Sequence, residues 1–425
     1  MKDARVSRRE ADVTQTADIV IAGAGVIGLS IAVQLARRTT ARIVVLDRAA
    51  GPGAGSTGAS SAVCRHKYSL VETMLLARDG INAYRHWSDF LGLKEPLATF
   101  QDIGVLWLGD GRKDWPANEV ERMAAHGIRA VVLDDAAVEE RFPAINPCSI
   151  PLDPLSVDEH VCQPGGPHVL ELDAGFIDPV DVLQDLIQSA RAKGVDVRFG
   201  VHVSGVQMTG GRISGVRLAE GAQIDCPTLV SATGPWCVRL FADIGLPCPW
   251  RLVPTRIQMA HIDRPPTVRG AIPVTVDPIG GIYFRPQNRG QQLIVGSVRE
   301  KDELEAVADP DDFANYADDD FMRDKLFILE HRLRGLADLH RPRGYSGLYT
   351  INREDYHPIV GPTPIAGLYV ANGLSGHGFK LAPAIGSLVA QLLAGKTSAY
   401  DTTVSADFLA FDRRPLALKE RGVLA

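Results

Sequence analysis

A chain of 425 residues is too long for one compact core and implies two domains of about 150–200 residues each. Its 45% hydrophobic and 23% charged residues are ordinary for a soluble globular protein, and no apolar run approaches the roughly 20 residues that span a bilayer. A net charge of −6 leaves no surplus of cations to neutralise phosphates, which argues against a nucleic-acid partner.

Met1 to Ala17 is charged and lacks the apolar centre of a secretory signal; Arg5, Arg8 and Arg9 are offset by Asp3, Glu10 and Asp12, unlike a mitochondrial leader. It reads as a disordered lead-in. Asp18 to Ala22 is a short apolar run ending in glycine, the pattern of a buried parallel strand. Val26 to Arg38 carries Ile27, Ile31 and Leu35 at helical spacing, and Arg42 to Asp47 is a second strand. Between them lies Gly23-x-Gly25-x-x-Gly28, with Val26 and Ile27 opening the helix. Glycines there permit the tight turn, the approach of backbone to pyrophosphate, and close packing of helix on strand; the helix N-terminus adds N–H donors. Asp47 ends the second strand, placed to accept from ribose hydroxyls. This unit predicts dinucleotide binding. Gly51 to Ser61, rich in small and hydroxyl residues including Ser56, Thr57, Ala59 and Ser60, lets backbone N–H groups approach phosphate or a flat ring, which favours FAD over NAD.

From about 70 to 160 the pattern changes to mixed periodicity around Trp87, Phe90, Trp107 and Trp115. A helix is expected around 173–192, strands at 195–199 and 211–218, and an apolar strand at Leu229 to Thr233 running into Gly234. Alternating strands follow at 256–261, 281–284 and 292–298, then an acidic helical stretch over 300–336 with a solvated face. Gly367 to Gly373 is a strand into a turn, and Pro383 to Gly395 a helix. Dinucleotide-type segments thus recur at the start, middle and end. The expected fold is mixed α/β: a discontinuous Rossmann-like FAD domain (1–95, 165–245 and 346–425) and a substrate domain with a mixed or antiparallel sheet (96–164 and 246–345). Six cysteines without a CxxC pair suggest reduced thiols and a cytoplasmic setting. Cys148, His160, Cys162 and His168 share one stretch, but their spacing fits no standard zinc pattern, so no metal is expected.

Several segments together resemble the D-amino acid oxidase superfamily of FAD-dependent amine oxidoreductases, most of all its monomeric sarcosine oxidase branch. They are Asp18 to Asp47, Gly55-Ser56-Thr57, Cys64-Arg65-His66-Lys67-Tyr68, Asp173 to Pro179, Ala232-Thr233-Gly234-Pro235-Trp236, Asp355 to Pro362, and Gly373 to Lys380. The resemblance implies FAD contacts at Arg48, Val203, Ala232, Thr233, Gly234 and Trp236, and at Gly376, His377, Gly378, Phe379 and Lys380. It implies that Arg65 and Lys380 hold a substrate carboxylate, a fork and a point charge suited to that group. His66 and His377 are implied near the flavin ring, with a packed, hydrogen-bonded histidine the alternative for each, and Tyr283 and Phe284 as an aromatic wall over the substrate, with ordinary strand packing the alternative; Arg285 is open between pocket and solvent.

The chain departs from that branch in two places. Its covalent flavin link uses a cysteine before a Met-Tyr-Thr run; here Gly347 precedes Leu348-Tyr349-Thr350, so non-covalent FAD is expected. Its oxygen-activating lysine aligns with Ile294, which favours a quinone, dye or electron-transfer protein over oxygen as acceptor. Pro147 to Pro164 is longer than the family loop and is expected to shape a pocket or interface. The expected reaction is oxidation of an amino acid C–N bond by hydride transfer to flavin N5, followed by imine hydrolysis, with no dedicated base. The substrate is a secondary or N-substituted amino acid such as sarcosine or proline; the alternatives are a D-amino acid or glycine, or an FAD-containing assembly or electron-transfer subunit with no small substrate. Homo-oligomer and hetero-subunit states both remain open.

Overall fold

The computed structural model describes residues 15–109, 112, 114–150, 160–336, 341–418, 422 and 424. Residues 1–14 of the expected lead-in lie outside the described residues. Its last part is ordered: Gln15–Thr16 pairs in parallel with Gln223–Asp225 at the edge of a four-stranded sheet.

The strand Ile19–Ala22 is buried along its whole length, because it is an interior strand of a six-stranded sheet. Ile43–Asp47 pairs with it on one side and Thr228–Ser231 on the other, both in parallel. Asp196–Phe199 extends the sheet beyond Ile43–Asp47; Leu368–Asn372 and then the antiparallel Ile359–Pro362 extend it beyond Thr228–Ser231. One sheet therefore draws on three separated stretches of chain.

A second sheet has eight strands, in the order Arg343–Asn352, Leu252–Asp263, Gln292–Ser297, Ile282–Gln287, Val274–Asp277, Val105–Trp107, His168–Glu171 and Ala130–Leu133. All its pairs are antiparallel except Val274–Asp277 with Val105–Trp107. His168–Glu171, expected on the nucleotide side of the chain's division, and Arg343–Asn352, which the expected boundary at 346 cuts, both pair in this sheet.

Helix Val26–Ala36 is buried on nearly all sides, since the C-terminal helix Gly378–Ala394 covers the face turned away from the sheet. The two backbones come so close that a Cβ on Gly386 would lie 2.7 Å from the Ser30 carbonyl carbon. Helix Val71–Arg85 packs on the same C-terminal helix through Gly80, where a Cβ would stand 2.1 Å from Lys380 O.

Two helices differ from expectation. The C-terminal helix begins at Gly378, not Pro383, and carries that proline inside. Proline lacks the N–H that would bond the carbonyl four residues back. That carbonyl belongs to Phe379, and the buried Tyr84 hydroxyl donates to it at 2.8 Å. The acidic stretch is not one helix: a single turn at Glu300–Glu303 is followed by irregular chain, and the helix proper is Asp319–Arg332. Three aspartates at 318–320 favour a helix start there. Nor is it only a solvated face, for Lys325, Leu326, Ile328, Leu329 and Arg332 are buried. Lys325 pairs with Asp302 at 2.7 Å, and Arg332 with Asp277 at 2.5 Å.

Candidate flavin and substrate site

The glycine loop is fixed by contacts that leave no room for side chains. Gly23 has φ +106°, and a Cβ there would meet Ala232 O at 2.3 Å. A Cβ on Gly28 would meet Gly23 O at 1.9 Å. The Asp47 carboxylate accepts from the Ala24 and Ala49 N–H groups, each at 2.8 Å, and so ties the loop to the end of the second strand. Thr57 reaches across to accept from Val26 N–H at 3.2 Å. Gly25 has no side chain to cap helix Val26–Ala36, so beyond the Thr57 contact the positive end of the helix is left to the space in front.

That space is a cavity of about 800 Å³, toward the upper end of what small-molecule sites enclose. Gly23, Gly25, Val26, Ile27, Asp47 and Arg48 line it. So do Ser56, Thr57, Ser60, Val203 and the run Ala232, Thr233, Gly234 with Trp236. Gly376, Gly378 and Phe379 line it, together with Leu348, Tyr349, Thr350 and Leu374, which the sequence placed in family segments but did not name as cofactor contacts. A cavity lined by a carboxylate, a helix N-terminus and a glycine cradle fits the ribose and pyrophosphate of a dinucleotide.

Four residues expected at the cofactor do not line the cavity. Gly28 serves helix–strand packing. Ala59 sits behind it, where a Cβ on Gly347 would stand 2.4 Å from the Ala59 methyl. His377 is fully buried, its ring 5.2 Å from Tyr68 and 5.6 Å from His357. Lys380 is buried beside the lining residue Gly376, with Arg65 as a charged neighbour.

Arg48 lines the cavity but is also engaged outside it. It pairs with Asp311 at 2.7 Å and lies over the Trp236 ring; Trp236 Nε1 and Arg239 donate to the same carboxylate at 2.8 and 2.6 Å. Burial alone would raise the Asp311 carboxyl, but these three donors outweigh it and hold it near 2.

A cationic corner is built on Val63–Cys64, which pairs with Gly175–Phe176. Arg65 is 4% exposed; its guanidinium donates to Lys67 O and lies 4.1 Å over the Tyr68 ring. Glu171 fixes this segment. Its buried carboxylate accepts from His66 N–H at 2.5 Å, Lys67 N–H at 3.2 Å and Trp107 Nε1 at 2.7 Å, and faces His66 Nδ1 at 3.0 Å. Burial pushes Glu171 up, but those hydrogen bonds prevail and keep it below the usual range. His66 is thus a buried histidine held by an acid.

Lys380 is 6% exposed, and its ammonium donates to Gly376 O at 3.4 Å. Burial, and then the neighbouring Arg65, bring it down to about 7. Arg285 is 3% exposed and faces inward, donating to Ser61 O at 2.7 Å and to Pro286 O at 2.8 Å, over the Phe176 ring. Burial lowers it to about 10. Cys64, raised to about 12 by burial, feels both cations. Neither Lys380 nor Arg285 has a carboxylate partner among the described residues.

Tyr283 and Phe284 do not form a common wall. Successive strand residues point to opposite faces. Tyr283 donates to Ser61 Oγ at 3.0 Å, whereas Phe284 packs in the apolar core with Leu106, Ile282 and Val295. Glu171 went unnoticed in the sequence; its signal was an acid directly after the apolar pair Val169 and Leu170.

The model of the family "FAD dependent oxidoreductase" matches residues 18–392. FAD-dependent oxidoreductase domain-containing protein 1 of Mus musculus is 26% identical over 416 residues, covering 89% of this chain and 81% of that protein. Sarcosine oxidase subunit beta of Rhizobium meliloti is 25% identical, over 91% of this chain and 86% of that protein. The solved L-proline dehydrogenase from P. horikoshii shares the fold with a TM-score of 0.76 at 20% identity, over 94% of this chain and 98% of that one. No helix among the described residues is long and apolar enough to cross a membrane.

Proposed function

The chain belongs to the FAD-dependent oxidoreductase family, and from that premise we propose that it oxidises the C–N bond of a small secondary or N-substituted amino acid. The observation that carries this reading is the pair of buried cations, Lys380 and Arg285, neither of which has a carboxylate within ion-pair distance among the described residues. An uncompensated buried charge costs several kcal/mol. A substrate carboxylate seated between them, with Arg65 alongside, removes that cost and orients the rest of the molecule. The preference for an N-substituted substrate rests on the likeness to a sarcosine oxidase subunit.

FAD, when bound, supplies the two-electron acceptor. The chain holds it without a covalent bond, since Gly347 offers no thiol and its neighbour Ala59 leaves no space for one. The cations depress the pKa of a nearby substrate amine and so favour the neutral form that can be oxidised. No base is needed from the protein. Tyr349 and Tyr283 stay protonated, because burial pushes both phenols up. Thiols kept reduced fit a cytoplasmic setting.

Anaerobic titration of the purified flavoprotein with sarcosine, proline, glycine and D-alanine tests the proposal. Reduction by sarcosine or proline at the lowest concentrations is expected. Reduction by none of the four, with the flavin still reducible by dithionite, overturns it. Readmitting air then shows whether oxygen or another acceptor takes the electrons.

A further inference from the structure

Away from the flavin cavity, four side chains with metal-ligand chemistry converge. Cys148, His160, Cys162 and His331 each place one donor atom within 4.8 Å of all the others. None of them lines the cavity. Cys148 Sγ and His160 Nε2 are 3.3 Å apart, and the rings of His160 and His331 meet edge to face at 4.5 Å. A tetrahedral zinc ion, with Zn–S of about 2.3 Å and Zn–N of about 2.0 Å, holds its ligand atoms roughly 3.3–3.8 Å apart. The cluster is within about an ångström of that size.

We propose that Cys148, His160, Cys162 and His331 bind one Zn²⁺ ion as a closed structural site. Three further observations support it. His331 Nε2 is buried and has no hydrogen-bond partner among the described residues, an unsatisfied lone pair that a metal would use. Both sulfurs have N–H donors nearby, Ile150 N–H at 3.4 Å from Cys148 Sγ and Asn146 Nδ2 at 3.6 Å from Cys162 Sγ, the outer contacts that settle thiolate charge. The backbone is tied in place: Ser149 N–H donates to Gln163 O, Asn146 N–H to Arg332 O, and Asn146 Nδ2 to His331 O. Arg332, next to His331 in sequence, is itself engaged by both oxygens of Asp277.

On binding, the two thiols release their protons to solvent; two thiolates and two neutral imidazoles then balance the dication. With four protein ligands no position is left for a substrate. The ion staples Cys148, His160 and Cys162 to the C-terminal end of helix Asp319–Arg332. The spacing in sequence hid the site, because the fourth ligand is remote. His168, the nearer histidine, is spent elsewhere: it accepts from Gly109 N–H at 2.8 Å and faces Asp135 at 2.7 Å.

The test is metal analysis of the flavoprotein purified under reducing conditions, followed by stripping with a chelator and reloading with Zn²⁺ or Co²⁺ alone. Roughly one zinc per chain is expected, and a Co²⁺ form with tetrahedral d–d bands to the red of the flavin and sulfur-to-cobalt charge transfer. Stripping should lower Tm while leaving the flavin bound. The Cys148→Ser/Cys162→Ser double variant should lose stoichiometric metal and keep its flavin. His331→Gln, which retains both thiols, should weaken Zn²⁺ binding about tenfold or more. Failure of the reduced wild-type protein to take up either ion overturns the site. So does recovery of a Cys148–Cys162 disulfide from protein that excludes metal even after reduction.

Discussion

Lys380 holds a charge where solvent cannot stabilise it. Its ammonium is brought down to about 7, so it is charged below that pH and largely neutral above. A carboxylate inhibitor without an amine should therefore bind more weakly as pH rises through about 7, because binding must then also take up a proton; fluorescence titration of the flavin from pH 6 to pH 9 would read this, and an affinity flat across that range would remove Lys380 from the binding site. The stability effect has the opposite slope. Between about 7 and the ordinary lysine value of 10.5 the unfolded chain holds a proton that the folded one lacks, so folding stability rises with pH across that window. In the substrate-free protein, Lys380→Met should stabilise most below pH 7, and its advantage should shrink towards pH 10. Substrate binding responds differently to substitution. Lys380→Met and Arg285→Gln should each raise the substrate concentration needed for flavin reduction by about 10- to 150-fold, the worth of about 1.5–3 kcal/mol for a charged hydrogen bond, with FAD content unchanged.

At the scale of elements, the C-terminal helix is the part on which the site depends most. Gly80 lets it approach Val71–Arg85, with the contact at Lys380 O. Gly80→Ala should therefore lower Tm, by about 1–3 kcal/mol in stability, and also weaken substrate binding, because the strain is relieved by moving the residue that carries the ammonium. Tyr84→Phe leaves the Phe379 carbonyl without a donor, a loss of about 1–3 kcal/mol that thermal unfolding would register. The sequence misplaced the start of this helix for the same reason. Pro383 reads as an N-terminal residue, and only a tyrosine remote in sequence makes it tolerable inside. What was legible was local: the glycine loop, Asp47, and the Gly/Ser/Thr run that lies along the cavity. Alternation alone should have separated Tyr283 from Phe284. Glu171 and His331 depend on pairings made by the eight-stranded sheet and its covering helix, which no short window of sequence contains.

Across the whole molecule, the chain near 309–311 reaches back to the lining of the cavity. Asp311 binds Arg48, Arg239 and Trp236, and Asp309 pairs with Arg239. These groups are partly exposed, and such pairs are individually worth little. Asp311→Asn should accordingly speed FAD release only a few-fold, with the difference fading at high salt; stopped-flow measurement of flavin release at two ionic strengths would check this. The six-stranded sheet has a further consequence, for synthesis. Its interior strand Thr228–Ser231 is flanked by Ile19–Ala22, made early, and by Leu368–Asn372, made late. Until the late strand emerges, the early ones present an open edge, and the helix bearing Lys380 does not yet exist. A nascent chain on the ribosome can thus collapse around its glycine loop but cannot close its cavity. Flavin capture follows the making of that helix, and a chain that stopped between Ser231 and Leu368 would leave an unpaired parallel strand prone to aggregation.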